Sequence, residues 1–472
     1  MAATHPNHRF LIISYPIQGH INPALQLAKR LATLGANVTF ATTIYLHSHL
    51  VNKPTTPGLS FATFSDGYDD GLTTSDDKVI VSYVSELTRR GSEFLKKIIL
   101  SAKEENHPFT CLTYSILLPW AAKVARELHL PSVLLWIQAA TVFDIYYHYF
   151  HEHGEYIKNI SEEAIELPGL PFSLKKCDIP SFLLASSPYT FALPSVKEHI
   201  QILEEETNPR ILVNTVEEFE YEALREVDVG KIEMIPIGPL IPSAFLDGKD
   251  PLDTSFGGDV ISVDSEDDYL KWLDSKDELS VVYVSFGTLA VLSKRQMEEI
   301  ARGLLDSGFS FLWVIRDTKS HDDNDELSCR EELERNVNGK IVKWCCQVEV
   351  LSHSSIGCFV THCGWNSTLE SLGSGVPMVA FPQWTDQTTN AKLIEDVWGS
   401  GVRMVCDEEG IVKAEEIRRY LDVVMGKGEK GEELRRNAKK LKSLAREAVK
   451  EGGSSDKNLR RFLDDIGCVS ES

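Results

Sequence analysis

Positive charge, long apolar runs and patterned cysteines are all scarce in this chain. Its 472 residues hold 48 lysines and arginines against 70 aspartates and glutamates, a net charge of −22. Nucleic acid and anionic membrane surfaces both require a basic footprint, so neither is an expected partner. The longest apolar run, Leu130 to Phe143, is too short for a bilayer and is broken by Gln138, so no stable membrane insertion is expected. The opening MAATHPNHRF lacks an apolar signal core, and Cys468 stands fifth rather than fourth from the end, which misses the prenylation pattern. Nine cysteines, an odd number that includes the neighbours Cys345 and Cys346, form no regular framework and suit a reducing compartment. The cytoplasm is the expected address.

Further absences remove whole classes of chemistry. No G-x-G-x-x-G and no Walker sequence follows an early strand, which excludes the standard dehydrogenase and nucleotide triphosphatase sites. Cys358, His362 and Cys363 are ligand types, but strand alternation points them apart and no second pair stands at finger spacing, so no metal is expected. Asp66-Gly67-Tyr68-Asp69-Asp70-Gly71 lacks the spacing and the closing Glu of a calcium loop and is expected to be a turn near a ligand's mouth.

What is present is a strand and helix alternation that runs twice. The apolar segments Phe10–Tyr15, Asn37–Thr42, Cys111–Tyr114 and Ser132–Trp136 alternate with helical patterns such as Pro119–Leu128, the order of a parallel sheet flanked by helices. A second series follows: Val281–Ser285, a helix from about Ser293 to Leu305, Phe311–Ile315, Cys358–Val360, Met378–Phe381 and Val402–Val405. Between them, about Ile235 to Asp259 turns to Pro, Gly and Asp without periodicity. The expected fold class is α/β with two Rossmann-like domains, residues 1–240 and 259–455, joined by a linker over 241–258. The length fits two cores. Charged amphipathic helices at about Glu432–Lys450 and Asp456–Asp465 close the chain.

The most informative stretch runs from Trp344 to Gln387 and holds no lysine or arginine. The strand Cys358–Val360 enters Thr361-His362-Cys363-Gly364-Trp365-Asn366-Ser367, with a helix expected from about Ser367. Such a turn leaves backbone N–H groups facing outward with the positive end of a helix dipole behind them, a seat for a diphosphate. His20 occupies the first strand-to-helix turn, Tyr15-Pro16-Ile17-Gln18-Gly19-His20, where open α/β sheets bind ligands. Imidazole is suited to take a proton from a phenol near neutral pH. By itself a histidine there is as often a turn or capping residue.

Trp344 at the start, His-Cys-Gly-Trp-Asn-Ser in the middle and Asp386-Gln387 at the end stand at the spacing of the signature box of plant family 1 UDP-glycosyltransferases, which this stretch resembles without a gap. The resemblance extends from about Arg9 to Leu463 and is strongest to the branch of anthocyanin 5-O-glucosyltransferases and crocetin glucosyltransferases. It implies the glycosyltransferase-B fold, two Rossmann-like domains facing a central cleft, with the donor mostly on the second and the acceptor on the first. It also implies that the final helix, about 456–472, packs back on the first domain. Carried onto this sequence, Trp344 stacks uracil, and the Cys345 backbone and Gln347 serve uracil and ribose. Glu370 binds the ribose hydroxyls, although Ser367-x-x-Glu370 is also a helix capping box. His362, Asn366 and Ser367, with Ser285 and Thr288 of Ser285-Phe286-Gly287-Thr288, donate to the phosphates. The Trp365 backbone, Asp386 and Gln387 meet the hexose, and a terminal Gln points to glucose. Asp386 also reads as a helix cap. His20 is the catalytic base, and Ile17, Gln18 and Phe143 are expected against the acceptor.

The family often has an Asp beside that base, and here the position is Ser115. Either another carboxylate substitutes, with Asp144 the candidate against its reading as a helix surface charge, or the acceptor is acidic. The expected function is inverting transfer from UDP-glucose to a flavonoid or anthocyanin hydroxyl, giving a β-glucoside. No cofactor or metal is expected, and the protein is expected to work as a monomer whose only partners are a small-molecule acceptor and a UDP-sugar. The alternative is glucose-ester formation on a carboxylic acid, and from another class a nucleotide-sugar epimerase or a non-catalytic UDP-sugar binder. Acceptor loops are expected at Ser82–Arg90, Phe143–Tyr149 and Phe182–Tyr189.

Overall fold

Apolar runs buried on both faces favour parallel strands, and the chain builds two wholly parallel sheets from them. The computed structural model describes residues 8–50, 56–72, 77–160, 163–184, 192–226, 232–256, 269–316 and 328–469. In the first sheet the strands are β1 (Arg9–Ile13), β2 (Asn37–Thr43), β3 (Leu59–Phe64), β4 (Cys111–Ser115), β5 (Ser132–Trp136), β6 (Arg210–Val213) and β7 (Glu233–Pro236), in the order β3-β2-β1-β4-β5-β6-β7. The second holds β8 (Val281–Ser285), β9 (Ser310–Val314), β10 (Gly339–Val342), β11 (Ile356–Thr361), β12 (Met378–Ala380) and β13 (Gly401–Arg403), in the order β10-β9-β8-β11-β12-β13.

Strand order reverses between β1 and β4 in one sheet and between β8 and β11 in the other. Crossover helices leave for opposite faces there and open a crevice beyond the strand ends. Ile13 pairs with Tyr114 and Thr361 with Ser285, so the turns after β1 and β4, and those after β8 and β11, lie side by side. These turns carry His20 and the neutral donors of the signature stretch.

The helix Ser454–Val469 returns to the first sheet. Asn458 donates to the Pro236 carbonyl at 3.0 Å, Ser455 to that of Gly238 at 2.6 Å, Arg210 pairs with Asp465 at 3.0 Å, and the Phe462 ring lies 6.3 Å from that of Phe10. None of its helices is long and apolar enough to cross a membrane among the described residues.

Some elements differ from what the pattern suggests. β7 takes Ile235 and Pro236, the first residues of the stretch that reads as aperiodic, because they pair beside β6. Residues 257 and 258 of the expected linker lie outside the described residues. Two of the three expected acceptor loops are helical: Ser82–Arg90 falls within the helix Asp77–Glu104 and Phe143–Tyr149 within Ala140–Phe150. The third begins as a single 3₁₀ turn, Ser181–Leu183, and its residues 185–189 lie outside the described residues. A short amphipathic helix beside a cleft has the same composition as a sticky loop, and tertiary packing decides between them.

Candidate functional site

A cavity of about 780 Å³ lies between the two sets of strand ends. It brings together His20, Ile17 and Gln18 from the first sheet with Ser285, Thr288, Trp344, Cys345, Gln347, His362, Trp365, Asn366, Ser367, Glu370, Asp386 and Gln387 from the second. Residues more than 350 positions apart in sequence thus share one chamber. The Asn366 amide donates to the Gly19 carbonyl at 2.7 Å, next to His20, and ties the two halves together. Trp365 is buried and its indole donates across to the Asn214 carbonyl at 2.7 Å, so its ring braces the halves while its backbone stays at the turn.

One expected residue is missing from the cavity. Phe143 is fully buried and packs edge-to-face on Trp136 at 5.1 Å, as a core aromatic. The lining residue from that helix is Tyr146, one turn further along. Asp144 is also fully buried, so it is no surface charge, and it does not line the cavity.

The second sheet's side of the cavity is extensively cross-linked. The helix Trp365–Ser374 starts two residues before the expected Ser367, with Gly364 at its N-cap and the Thr368 N–H donating to the Gly364 carbonyl at 2.9 Å. Ser367 therefore sits inside the first turn, and no capping box forms. Instead Gln347 donates to the Ser367 hydroxyl at 2.8 Å and to the Glu370 carboxylate at 2.7 Å. Tyr283, buried on β8, donates to Gln347 at 3.2 Å and adjoins the Cys345 sulfur at 3.3 Å. Asp386 does precede the helix Gln387–Lys392 but makes no side-chain cap bond. Its carboxylate accepts from Thr385 at 2.6 Å and Asn390 at 2.7 Å, and burial pushes its pKa up against those bonds. Gly287 has φ 70°, and a Cβ there would stand 2.6 Å from His362, so only glycine lets this turn approach the imidazole. Burial, then the charge of Arg316, lowers the His362 pKa to about 4.

The first sheet's side is bare by comparison. His20 lies in the first turn of the helix Gln18–Thr33, its ring 5.5 Å from that of Tyr15. Burial holds its pKa at about 3, with no carboxylate opposing the shift, and its Nδ1 is buried without a hydrogen-bond partner. Ser115 does not serve it. Its hydroxyl accepts from the Tyr15 backbone at 2.9 Å and lies 3.4 Å from that of Ser14. Tyr15, Tyr45, Tyr68, Tyr83 and Asp66 line this side together with aliphatic residues such as Leu72, Ile80, Ile116 and Leu117. The expected turn at Asp66 forms, with the Tyr68 N–H and the Tyr83 hydroxyl donating to its carboxylate at 2.9 and 3.3 Å.

The model of the "UDP-glucoronosyl and UDP-glucosyl transferase" family matches residues 255–446, the half that carries the cross-linked turns. Over nearly its whole length the chain is 58% identical to a phloretin 4'-O-glucosyltransferase of Malus domestica, covering 98% of this chain and 99% of that one. The chain belongs to this family. A chloroplastic crocetin glucosyltransferase of Gardenia jasminoides is 55% identical, covering 97% of each. The crystal structure of Os79 from O. sativa with UDP superposes with a TM-score of 0.85 at 34% identity, covering 97% of this chain and all of that one. The protein is thus a UDP-glucosyltransferase of plant family 1 with the glycosyltransferase-B fold, and the epimerase and non-catalytic alternatives fall away.

Several lining residues lie outside every motif. Gln138, which hydrogen-bonds Asp386, and Tyr146 come from the first sheet's side, and Arg316 follows β9. A readable signal existed for Arg316 alone: it is a cation just past the carboxyl end of a strand next to β8.

Proposed function

We propose that this glucosyltransferase moves glucose from UDP-glucose to a phenolic hydroxyl of a flavonoid or anthocyanin, the 5-hydroxyl foremost, with inversion to a β-glucoside. The supporting observation is the lining of the acceptor side. Tyr15, Tyr45, Tyr68, Tyr83 and Phe182 offer flat rings, Asp66 adds a carboxylate, and no lysine or arginine lies among them. A polyphenol stacks on such rings and donates a second hydroxyl to Asp66. A carboxylate acceptor there would meet the like charge of Asp66, with no lysine or arginine among the described residues of that side to hold it. The relative named for phloretin agrees with a phenol, whereas the one named for crocetin favours the second reading, a glucose ester.

In the proposed reaction the neutral His20 imidazole takes the hydroxyl proton as the acceptor oxygen bonds the anomeric carbon from the face opposite UDP. The bond from that carbon to the phosphate oxygen breaks, and its electron pair leaves with UDP. With Ser115 in place of a carboxylate, nothing offsets the imidazolium charge, so an already acidic hydroxyl suits this base best. Trp344, Cys345, Gln347 and Glu370 would hold uridine; Ser285, Thr288, His362, Asn366 and Ser367 the phosphates; Trp365, Asp386 and Gln387 the hexose. The sugar arrives activated, so the chemistry calls for no resident cofactor. A monomer in the cytoplasm is the setting we propose, in keeping with eight described cysteines that are all free thiols.

An acceptor panel of phenols and carboxylic acids, supplied with UDP-glucose and read by mass spectrometry, tests this. Alkali-stable β-glucosides of phenols are expected. Products made only of alkali-labile esters would overturn the phenol and leave the donor assignment standing.

A further inference from the structure

Arg316 is the only lysine or arginine among the described residues that line the cavity, whose acids are Asp66, Glu370 and Asp386. It stands two residues past β9, at the mouth formed by the turn after β8. Its guanidinium donates to the backbone carbonyls of Thr288, at 2.5 Å, and of Gly287. That is the turn on which His362 leans, because a Cβ on Gly287 would meet the imidazole at 2.6 Å. No carboxylate pairs with Arg316 among the described residues, and burial alone shifts it, downward, with no acid raising it.

A half-buried cation without an acid is costly and calls for a compensating anion. Two carbonyls use only part of the donor fork, which carries five N–H groups in a plane. The neighbouring polar groups, Ser285, Thr288, His362, Asn366 and Ser367, are neutral donors suited to phosphate oxygens, and the His362 Nδ1 is buried without a partner. A nucleoside diphosphate entering this chamber carries two or more negative charges into a lining with three acids and one base among its described residues, inside a protein of net charge −22.

We infer that Arg316 binds the diphosphate of the UDP-sugar and takes up the charge of departing UDP. Its role rests on the placement of the donor at this turn. As the bond between the anomeric carbon and the phosphate oxygen breaks, the electron pair stays on that oxygen, next to the one fixed positive charge among the described lining residues. The acceptor's proton goes to His20. Arg316 therefore acts on departure as well as on binding, the use that charged groups aimed at a developing anion serve in other phosphate chemistry. Its hold on the Gly287 and Thr288 carbonyls fixes where that charge stands.

The test is a ligand series on the full chain: uridine, UMP and UDP titrated calorimetrically against wild type, Arg316→Gln and Arg316→Lys. In Arg316→Gln the advantage of UDP over uridine is expected to shrink at least about tenfold while uridine binds as before, and kcat falls along with kcat/KM; loss of a charge-assisted bond has this size. Arg316→Lys should restore part of both. An unchanged ratio of UDP to uridine affinity, or an equal loss for both ligands, would overturn the inference; the second result is what a mere brace of the turn would give. If Arg316→Gln does not fold, wild type decides by salt: a local cation makes the UDP advantage fall as salt is raised, whereas its absence leaves only the repulsive net charge and makes the advantage rise. Wild type that binds no UDP at all would count against the donor placement itself.

Discussion

The two sides of the cleft are built on the same strand-end geometry and finished in opposite ways. On the donor side Gln347, Ser367 and Glu370 are locked to one another, Asp386 is held by Thr385 and Asn390, and Arg316 grips the turn after β8. On the opposite side His20 carries a buried nitrogen without a partner, and the surrounding surface mixes tyrosine rings with aliphatic side chains. A network with mutually satisfied groups fixes positions before the ligand arrives, which suits a donor whose every hydroxyl must be recognised. Aromatic faces impose shape and little else, which suits acceptors that vary. On the proposed reading this difference locates specificity: the donor would be chosen by prearranged hydrogen bonds, the acceptor by fit.

The sharpest way to break this contrast is to remove the base. His20→Ala should lower kcat on phenols about 10²-fold or more and leave UDP affinity unchanged, because His20 belongs to the acceptor side alone. Turnover near wild type on every phenol would refute the assignment, and weakened UDP binding would show that the sides are coupled. On the opposite side, Glu370→Ala should raise the KM for UDP-glucose roughly 10- to 100-fold, the worth of hydrogen bonds to a buried carboxylate, with the acceptor KM unmoved. A parallel rise in the acceptor KM would mean that the network supports both halves. Donor competition refines this further. UDP-glucose should be used about tenfold or more faster than UDP-glucuronate, since the carboxylate of glucuronate would face the buried Asp386, and preference for glucuronate would remove Asp386 from the hexose.

A smaller effect concerns stability. Burial holds His20 and His199 at about 3 and His362 at about 4, all below the unfolded value near 6.5. Each stays neutral in the fold while the unfolded chain takes up protons, so stability is retained above about pH 6.5 and is lost as pH falls toward 4. Each contributes on the order of 1.4 kcal/mol per pH unit in that window. His199 lies outside the cavity, stacked on Tyr114 at 5.8 Å. His199→Phe should therefore flatten the acid limb of urea unfolding by up to about 1.4 kcal/mol per pH unit without changing turnover, and an unaltered limb would show that His199 is protonated in the fold. The smallest expected change is that of Ser115→Asp: about a few-fold faster glucosylation of weakly acidic phenols, none for carboxylic acids. Equal responses of both would show that position 115 does not address the base.

How much of this was legible follows from the range of the interactions. The strands β5 and β8 stand where the apolar runs place them, and the donor residues stand together because they lie on one stretch that strand and turn geometry arranges locally. Phe143 was misplaced because helix Ala140–Phe150 turns a different face to the cleft, and which face is buried depends on Trp136 from another element. The capping box at Ser367 was a local pattern that lost to a helix start at Gly364, where the turn geometry and the bond to Thr368 set the first helical residue.

The sequence by itself determined the two parallel sheets and the stretch Trp344–Gln387 that carries the family pattern, since each rests on contacts between near neighbours or on strand periodicity. Only the tertiary structure decided what surrounds them. It set Arg316 against the turn after β8, left His20 without a carboxylate among the described residues, and gathered four tyrosines and Asp66 across the cavity from that turn. Those groups come from separate elements, and nothing short of the packed fold brings them within reach of one another.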